Sequence, residues 1–186
     1  RLYDLVERVR TEIPDLVFRT TFIVGHPGET DEDFTELKDF VTWAEFDHVG
    51  VFLYSPEEGT PSGAMEDVVD EKVAHARHRQ LMRVQRPISR ERLRARIGTE
   101  LDVLVDGVSD ESEFLLEGRW WGQAPEVDGK VYLANGTAQA GELRKALVTD
   151  AADYDLVADL LSADGAWEAP PGTERPQKRK VKLRLV

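Results

Sequence analysis

The chain has 186 residues, 41% of them hydrophobic, which is enough for one or two globular domains with apolar cores. Its apolar runs are far shorter than the roughly 20 residues that a helix needs to cross a bilayer, and it opens on a charged, helix-like segment rather than a signal peptide. We therefore expect a soluble, cytoplasmic protein. The sequence contains no cysteine, which excludes disulfides, thiolate nucleophiles and cysteine-ligated metals within this chain.

The formal net charge of −12 is distributed unevenly along the chain. Residues 97–165 carry 4 Lys and Arg against 15 Asp and Glu, a net charge of −11, whereas residues 166–186 carry a net charge of +4. A domain as acidic as residues 97–165 repels phosphate, so its surface favours a basic protein partner over nucleic acid. The alternative is that these acids only keep the protein soluble.

The first half of the chain predicts helices alternating with strands. A helical apolar face ends at Pro14, and residues 17–24 are typical of a β-branched and aromatic strand. Thr30 is suited to cap the next helix by accepting a hydrogen bond from the backbone NH of Asp33. Four apolar residues follow at helical spacing, namely Phe34, Leu37, Val41 and Ala44.

A second strand is predicted at residues 49–54, followed by a long helix at residues 73–97 that is interrupted or kinked near Pro87. This alternation indicates parallel βα units whose helices cover a sheet. Two strands are too few for a stable sheet, and a closed eight-unit barrel takes about 250 residues. We therefore expect residues 1–96 to be the last units, with a linker helix, of a larger α/β barrel whose earlier strands lie upstream.

Beyond Gly98 the sequence predicts short strands with glycine and asparagine turns between them. "ELDVLVDG" alternates, "DGVSDESE" indicates a turn, and "FLLEGR", "KVYLA" and "RKALVTDA" are strand-like. This pattern favours a small all-β barrel of the OB type at residues 97–165 that closes near Asp159 or Leu160. The basic, proline-containing tail at residues 166–186 is predicted to be disordered or loosely docked.

The stretch "GHPGET" follows the first strand, where the loops of α/β barrels form the active face. Gly25 and Gly28 permit a close backbone approach to a ligand, and Pro27 stiffens the turn between them. Glu29 and Thr30 add acceptors beside a helix N-terminus. A purely structural βα turn is the alternative interpretation.

Three segments together carry a resemblance to a known family: "TTFIVGHPGET", "VGVFLYSPEEGTPS" and "GRWWGQAPEVDG". The chain resembles the C-terminal half of the radical S-adenosylmethionine methylthiotransferases over residues 1–165. Within that family it most resembles the RimO-like branch, which modifies an aspartate of a small-subunit ribosomal protein. The resemblance implies that the two strands are the fifth and sixth of a barrel and that a TRAM domain follows them.

The resemblance also implies the cofactors. Residues expected to wall the S-adenosylmethionine pocket are Ile23, Gly25, Pro27, Glu29, Phe52, Tyr54 and Ser55. His26 departs from the bulky apolar residue expected at its position. Two 4Fe–4S clusters are implied for the full-length enzyme, ligated by cysteines outside this chain, so this chain alone is expected to be inactive. The resemblance further implies that, in the complete enzyme, a cofactor-derived radical takes hydrogen from the substrate's β carbon and a methylthio group is added there.

Arg19 is the main candidate for binding the substrate. In the tRNA-modifying branch the position of Thr21 looks like an aspartate, whereas here Arg19 lies two residues earlier on the same face of the strand. Arg19 could clasp a substrate carboxylate with both guanidinium nitrogens. Alternatively, Arg19 pairs with a neighbouring acid and only closes the barrel.

Four residues of the β-barrel are further candidates for docking a protein substrate: Trp120, Trp121, Glu126 and Asp128. Stacking of the tryptophans on bases is the alternative. Eight arginines between Arg77 and Arg96 could touch ribosomal RNA, or could pack against acidic neighbours. His75 and His78 could supply half a metal site, but no third ligand is evident, and we predict no metal site in this chain.

Three functions therefore remain open. The first is modification of a basic small-subunit ribosomal protein, alone or in the ribosome, and the second is the same chemistry on tRNA, which would call for a basic β-barrel. The third is a non-catalytic OB-type binding module. A CxxxCxxC motif upstream would dispose of the third.

Overall fold

The computed structural model describes residues 1–162 and divides into two compact units, residues 1–89 and residues from 90 onward. The basic tail predicted at residues 166–186 lies outside the described residues. None of the helices in the described part is both long enough and apolar enough to span a bilayer.

The first unit contains two βα repeats. Its elements are α1 (Leu2–Glu12), β1 (Arg19–Val24), α2 (Asp31–Ala44), β2 (His48–Leu53), a short 3₁₀ turn (Ser62–Ala64) and α3 (Glu71–Arg94). β1 and β2 pair in parallel, with Ile23 opposite Phe52. The order of elements agrees with the sequence prediction, although both strands are shorter than or displaced from the predicted ranges.

The helices pack on one face of this two-stranded sheet. Val24, Val51 and Leu81 are buried together with side chains of α2, and Phe46 joins a second cluster under α1. Helix α3 runs through Pro87 without interruption, so of the two predicted alternatives, an interruption or a kink, the interruption is wrong. An interior proline loses one helical hydrogen bond and crowds the carbonyl of residue i−4, and the packing of Leu81 and Ile88 on either side offsets this cost.

The second unit is a closed five-stranded barrel, as the sequence predicted. Its strands are β3 (Glu100–Ser109), β4 (Ser112–Trp120), β5 (Val131–Asn135), β6 (Leu143–Ala151) and β7 (Leu156–Leu160). They close in the order β3-β4-β5-β7-β6, and only the β5–β7 pair among them is parallel. The predicted turn "DGVSDESE" was too long, because β3 continues through a bulge near Gly107 and only two residues connect it to β4.

Candidate functional site: the glycine turn and the open sheet face

The turn after β1 depends on two glycines. Gly25 and Gly28 adopt φ values of +79° and +82°, in the left-handed region that favours glycine. A Cβ added at Gly25 would lie 2.6 Å from the Cβ of Ala74 on α3, whereas one added at Gly28 would meet only the flexible end of Met65 at 3.7 Å. The close approach at Gly25 is therefore to helix α3 of the same chain. The local sequence around Gly25 does not predict this contact.

Glu29 stabilises the turn, because both of its carboxylate oxygens accept hydrogen bonds. Oε2 accepts a hydrogen bond from the Gly25 NH at 3.1 Å, and Oε1 accepts one from the Arg77 guanidinium at 2.7 Å. Arg77 also donates to the Asp31 carboxylate at 2.7 Å and to the Glu29 carbonyl. Burial by itself lowers the pKa of Arg77, but the hydrogen bonds to Asp31 and Glu29 outweigh it and raise that pKa.

Arg77 is one of eight arginines between positions 77 and 96, yet 95% of its surface is buried. The position of Arg77 in the helical repeat of α3 predicts this burial. Arg77 is three residues after buried Ala74 and four before buried Leu81, so helical spacing places it on the core-facing side of α3. An arginine at a core-facing position needs acidic partners, and Glu29 and Asp31 supply them.

Helix α2 begins with the predicted cap. The Asp33 NH donates to the Thr30 hydroxyl oxygen at 3.1 Å, and the Asp33 carboxylate accepts hydrogen bonds from the Thr30 NH and hydroxyl. These bonds from Thr30, the backbone one first, lower the pKa of Asp33. This reciprocal pair of hydrogen bonds is a capping box, which fixes Thr30 and Asp33 where the turn leads into α2.

The end of β2 lies beside this turn. The Tyr54 NH donates to the Val24 carbonyl at 2.9 Å, which extends the sheet by one residue. His26 packs edge-on against the Tyr54 ring with centroids 5.1 Å apart, so an aromatic contact replaces the bulky apolar residue expected at position 26. The Tyr54 hydroxyl is buried and has no hydrogen-bond partner among the described residues. Ser55, the next residue, is exposed.

The sheet face opposite the helices is open among the described residues. Ile23 and Phe52 are register partners with exposed fractions of 56% and 60%. Arg19 and Thr21 are exposed on the same face of β1. The fold thus brings Arg19, Ile23 and Phe52 to one surface, while Pro27 is buried in the turn at its edge.

In the barrel, the tryptophan pair divides into a buried and an exposed ring. Trp120 is only 2% exposed and lies under the Arg96 guanidinium, 4.0 Å from the ring centroid, so its ring is covered within its own unit. Trp121 is 66% exposed and contacts Trp120 edge-on. The alternation of β4 explains the difference, because Trp120 ends an inward-facing series and Trp121 follows the strand.

The two predicted acidic residues near Trp121 differ in role. Asp128 accepts a hydrogen bond from the Ala124 NH at 2.7 Å and so closes the loop. Glu126 is exposed in the same loop with φ at +61°. Of these two acids, Glu126 is therefore the one that the loop presents to solvent.

The predicted histidine pair is not part of a cluster. His75 lies 3.6 Å from Glu71, and His78 contacts the Val51 carbonyl at 3.1 Å. Within residues 1–162 no three His, Cys, Asp or Glu side chains are grouped as a metal site requires.

The comparisons with known proteins agree with the motif-based resemblance. The family model of the TRAM domain matches residues 97–161. Ribosomal protein uS12 methylthiotransferase RimO from Sorangium cellulosum is 50% identical over 100% of this chain and 39% of its own length. The RimO proteins of Pelobacter propionicus and Anaeromyxobacter sp. are 50% and 44% identical over 86% and 95% of this chain.

The chain spans about two fifths of the length of these curated relatives. The predicted likeness to the RimO-like branch is thereby confirmed. The chain is homologous to part of the RimO methylthiotransferases, and its residues 97–161 form a TRAM domain.

Proposed function

We propose that this chain is part of a cytoplasmic methylthiotransferase that adds a methylthio group to the β carbon of an aspartate in ribosomal protein uS12. The observation that carries the proposal is the 50% identity over the whole chain to a protein named as a uS12 methylthiotransferase. In this proposal, residues 1–96 are the barrel end and linker helix, and residues 97–165 are the substrate-docking TRAM domain.

The open sheet face supports the barrel assignment. A parallel sheet is normally covered on both faces, and a two-stranded sheet is marginal alone. Here helices cover one face while Ile23 and Phe52 remain exposed on the other. Further strands of a longer protein would enclose this face as the interior of an α/β barrel.

The turn at the edge of this face fits an S-adenosylmethionine pocket. Gly25 and Pro27 supply backbone there, Tyr54 brings an unpaired buried hydroxyl, and Ile23 and Phe52 offer apolar surface. Glu29 acts through the Gly25 NH as a positioning residue. When bound, S-adenosylmethionine together with a 4Fe–4S cluster would supply the radical chemistry. This chain has no cysteine, so the two clusters would be ligated outside it and the chain alone would be inactive.

The charge of the barrel unit favours a basic protein substrate. Residues 97–165 carry a net charge of −11, which would attract a ribosomal protein and repel tRNA. Trp121 and Glu126 are the exposed candidates for this contact, with Trp120 and Asp128 holding them in place. Arg19, on the open sheet face, would clasp the carboxylate of the substrate aspartate.

Replacing Arg19 by lysine in the full-length enzyme tests this assignment. Arg19→Lys keeps the charge but loses the planar two-pronged geometry, so methylthiolation of uS12 should fall roughly ten- to a hundredfold, the equivalent of about 1.5 to 3 kcal/mol. Cleavage of S-adenosylmethionine without substrate and the melting temperature should be unchanged. Parallel loss of all three would show that Arg19 is structural. Modification of tRNA instead of uS12 by the wild-type enzyme would overturn the proposed function.

A further inference from the structure

Helix α3 carries a cationic stripe, which we define as Lys72, Arg79, Arg83 and Arg86. The spacings of seven, four and three residues place these side chains on one face of a helix with 3.6 residues per turn. Leu81 and Gln85, on the opposite face, are 0% and 1% exposed. The stripe therefore faces away from the core, and at about 1.5 Å per residue it extends for roughly 21 Å.

The stripe lies almost entirely in a segment of α3 that has no acidic residue, which is unusual in so acidic a chain, although Glu71 precedes Lys72 and Arg86 is not without a partner. Residues 72–90 contain no Asp or Glu, although the whole chain has 36. Elsewhere in the described residues arginines pair with carboxylates, as Arg119 does with Asp106 and Arg144 with Glu142. The side chains of Lys72, Arg79 and Arg83 make no ion pair or hydrogen bond with any residue in 1–162.

A cavity of about 410 Å³ adjoins the start of the stripe, between α2 and α3. Lys38 and Lys72 line it together with Arg77, whose buried Nε has no hydrogen-bond partner in the described part of the chain. The ammonium group of Lys38 lies 5.0 Å from the Phe34 ring centroid. Asp31 also lines this cavity, so Lys38 adds a single positive charge from α2 beside the start of the stripe.

We infer that this stripe contacts the phosphate backbone of RNA. A row of three arginines and a lysine suits a linear polyanion, whereas protein interfaces centre on buried aromatic or aliphatic residues. That the RNA belongs to the small ribosomal subunit carrying the substrate rests on the proposed function. The acidic barrel would recognise the basic protein, and the stripe would recognise RNA beside it.

Charge reversal at Arg83 in the full-length protein tests the inference, with Arg8→Glu as the matched control. Arg83 and Arg8 are both exposed helical arginines, and each substitution changes the net charge equally. The probe is a short fluorescein-labelled RNA duplex, titrated by anisotropy at several salt concentrations without cofactor or uS12. Arg83→Glu should weaken binding about tenfold near 0.1 M salt and lower the slope of log affinity against log salt by about 1. Arg8→Glu should change binding little.

Equal effects of the two substitutions, or RNA binding that does not depend on Arg83, would overturn the inference. It would also be overturned if polyglutamate bound as tightly as RNA and lost affinity in the same variant, because the stripe would then recognise acidic protein. The assay involves no catalysis, so its failure leaves the proposed methylthiotransferase activity standing. Conversely, an enzyme inactive on uS12 can still show RNA binding through Arg83.

Discussion

At the scale of single residues, Gly25 meets two constraints at once. Its backbone has a φ of +79°, and Ala74 of α3 lies where a side chain would begin. Either constraint alone favours glycine, and together they link the glycine turn to the packing of α3. The sequence predicted a glycine-dependent turn, but the helix that approaches it is 49 positions away and was not evident from local pattern.

Gly25→Ala should therefore destabilise the protein more than Gly28→Ala. The left-handed backbone costs a non-glycine residue about 1 to 2 kcal/mol at either position. At Gly25, displacement of Ala74 should add about 1 to 3 kcal/mol, as overpacking of a core does. Chemical denaturation of the two variants measures the difference. Equal losses of unfolding free energy in the two variants would mean that α3 moves away from position 25 at no cost in free energy.

At the scale of elements, α2 shows what local sequence can determine. Thr30 and Asp33 are three residues apart, so their reciprocal hydrogen bonds depend only on the chain between them, and the predicted cap was confirmed. Strand β7 shows the opposite case. Its residues are strand-like, but its partners β5 and β6 are identified only by the closed barrel, so the sequence predicted closure near Leu160 without identifying the strand.

Thr30→Ala should lower the free energy of unfolding by about 1 kcal/mol, because α2 loses its N-terminal acceptor. Thr42→Ala is the control: Thr42 is also exposed on α2, but its hydroxyl only donates back to the Lys38 carbonyl, so its replacement by alanine should be neutral or slightly stabilising. Thermal denaturation of both variants provides the comparison.

The cost of Thr30→Ala should also depend on pH. The pKa of Asp33 is lowered in the folded state, so its contribution is present above the unfolded pKa of about 4 and is lost as the pH falls through the folded value. The difference between wild type and variant should shrink in acid. A difference independent of pH would contradict the role of the Asp33 charge.

At the scale of the whole molecule, charge and chemistry are divided between the two units. The unit of residues 1–89 holds the glycine turn, the open sheet face and the cationic stripe, whereas residues 97–165, which include the barrel strands, carry a net charge of −11. The acidic character of residues 97–165 was predictable from composition. The βα units and the small barrel after them were predictable from the periodicity of the hydrophobic residues. The burial of Trp120 and of Arg77 was not, since neighbouring residues of the same type lie at the surface.

The acidic barrel leads to a prediction for the full-length enzyme. Under the proposed function, the affinity of the full-length protein for uS12 should fall as salt rises, because screening weakens attraction between opposite charges. Affinity for tRNA at physiological salt should be lower than for uS12. Titration of both ligands over a range of salt concentrations checks the order, and tighter binding of tRNA would contradict it.

The position of β7 in the barrel has a consequence for synthesis. Leu156–Leu160 is the strand that joins β5 to β6, and it is the last of the five to leave the ribosome. Until it emerges, a nascent chain holds β5 and β6 with unpaired edges, which are templates for wrong pairing. Closure of the barrel also requires contacts between residues far apart in sequence, and such contacts form slowly. Translation halted before Leu156 should therefore leave an aggregation-prone chain that a chaperone must shield.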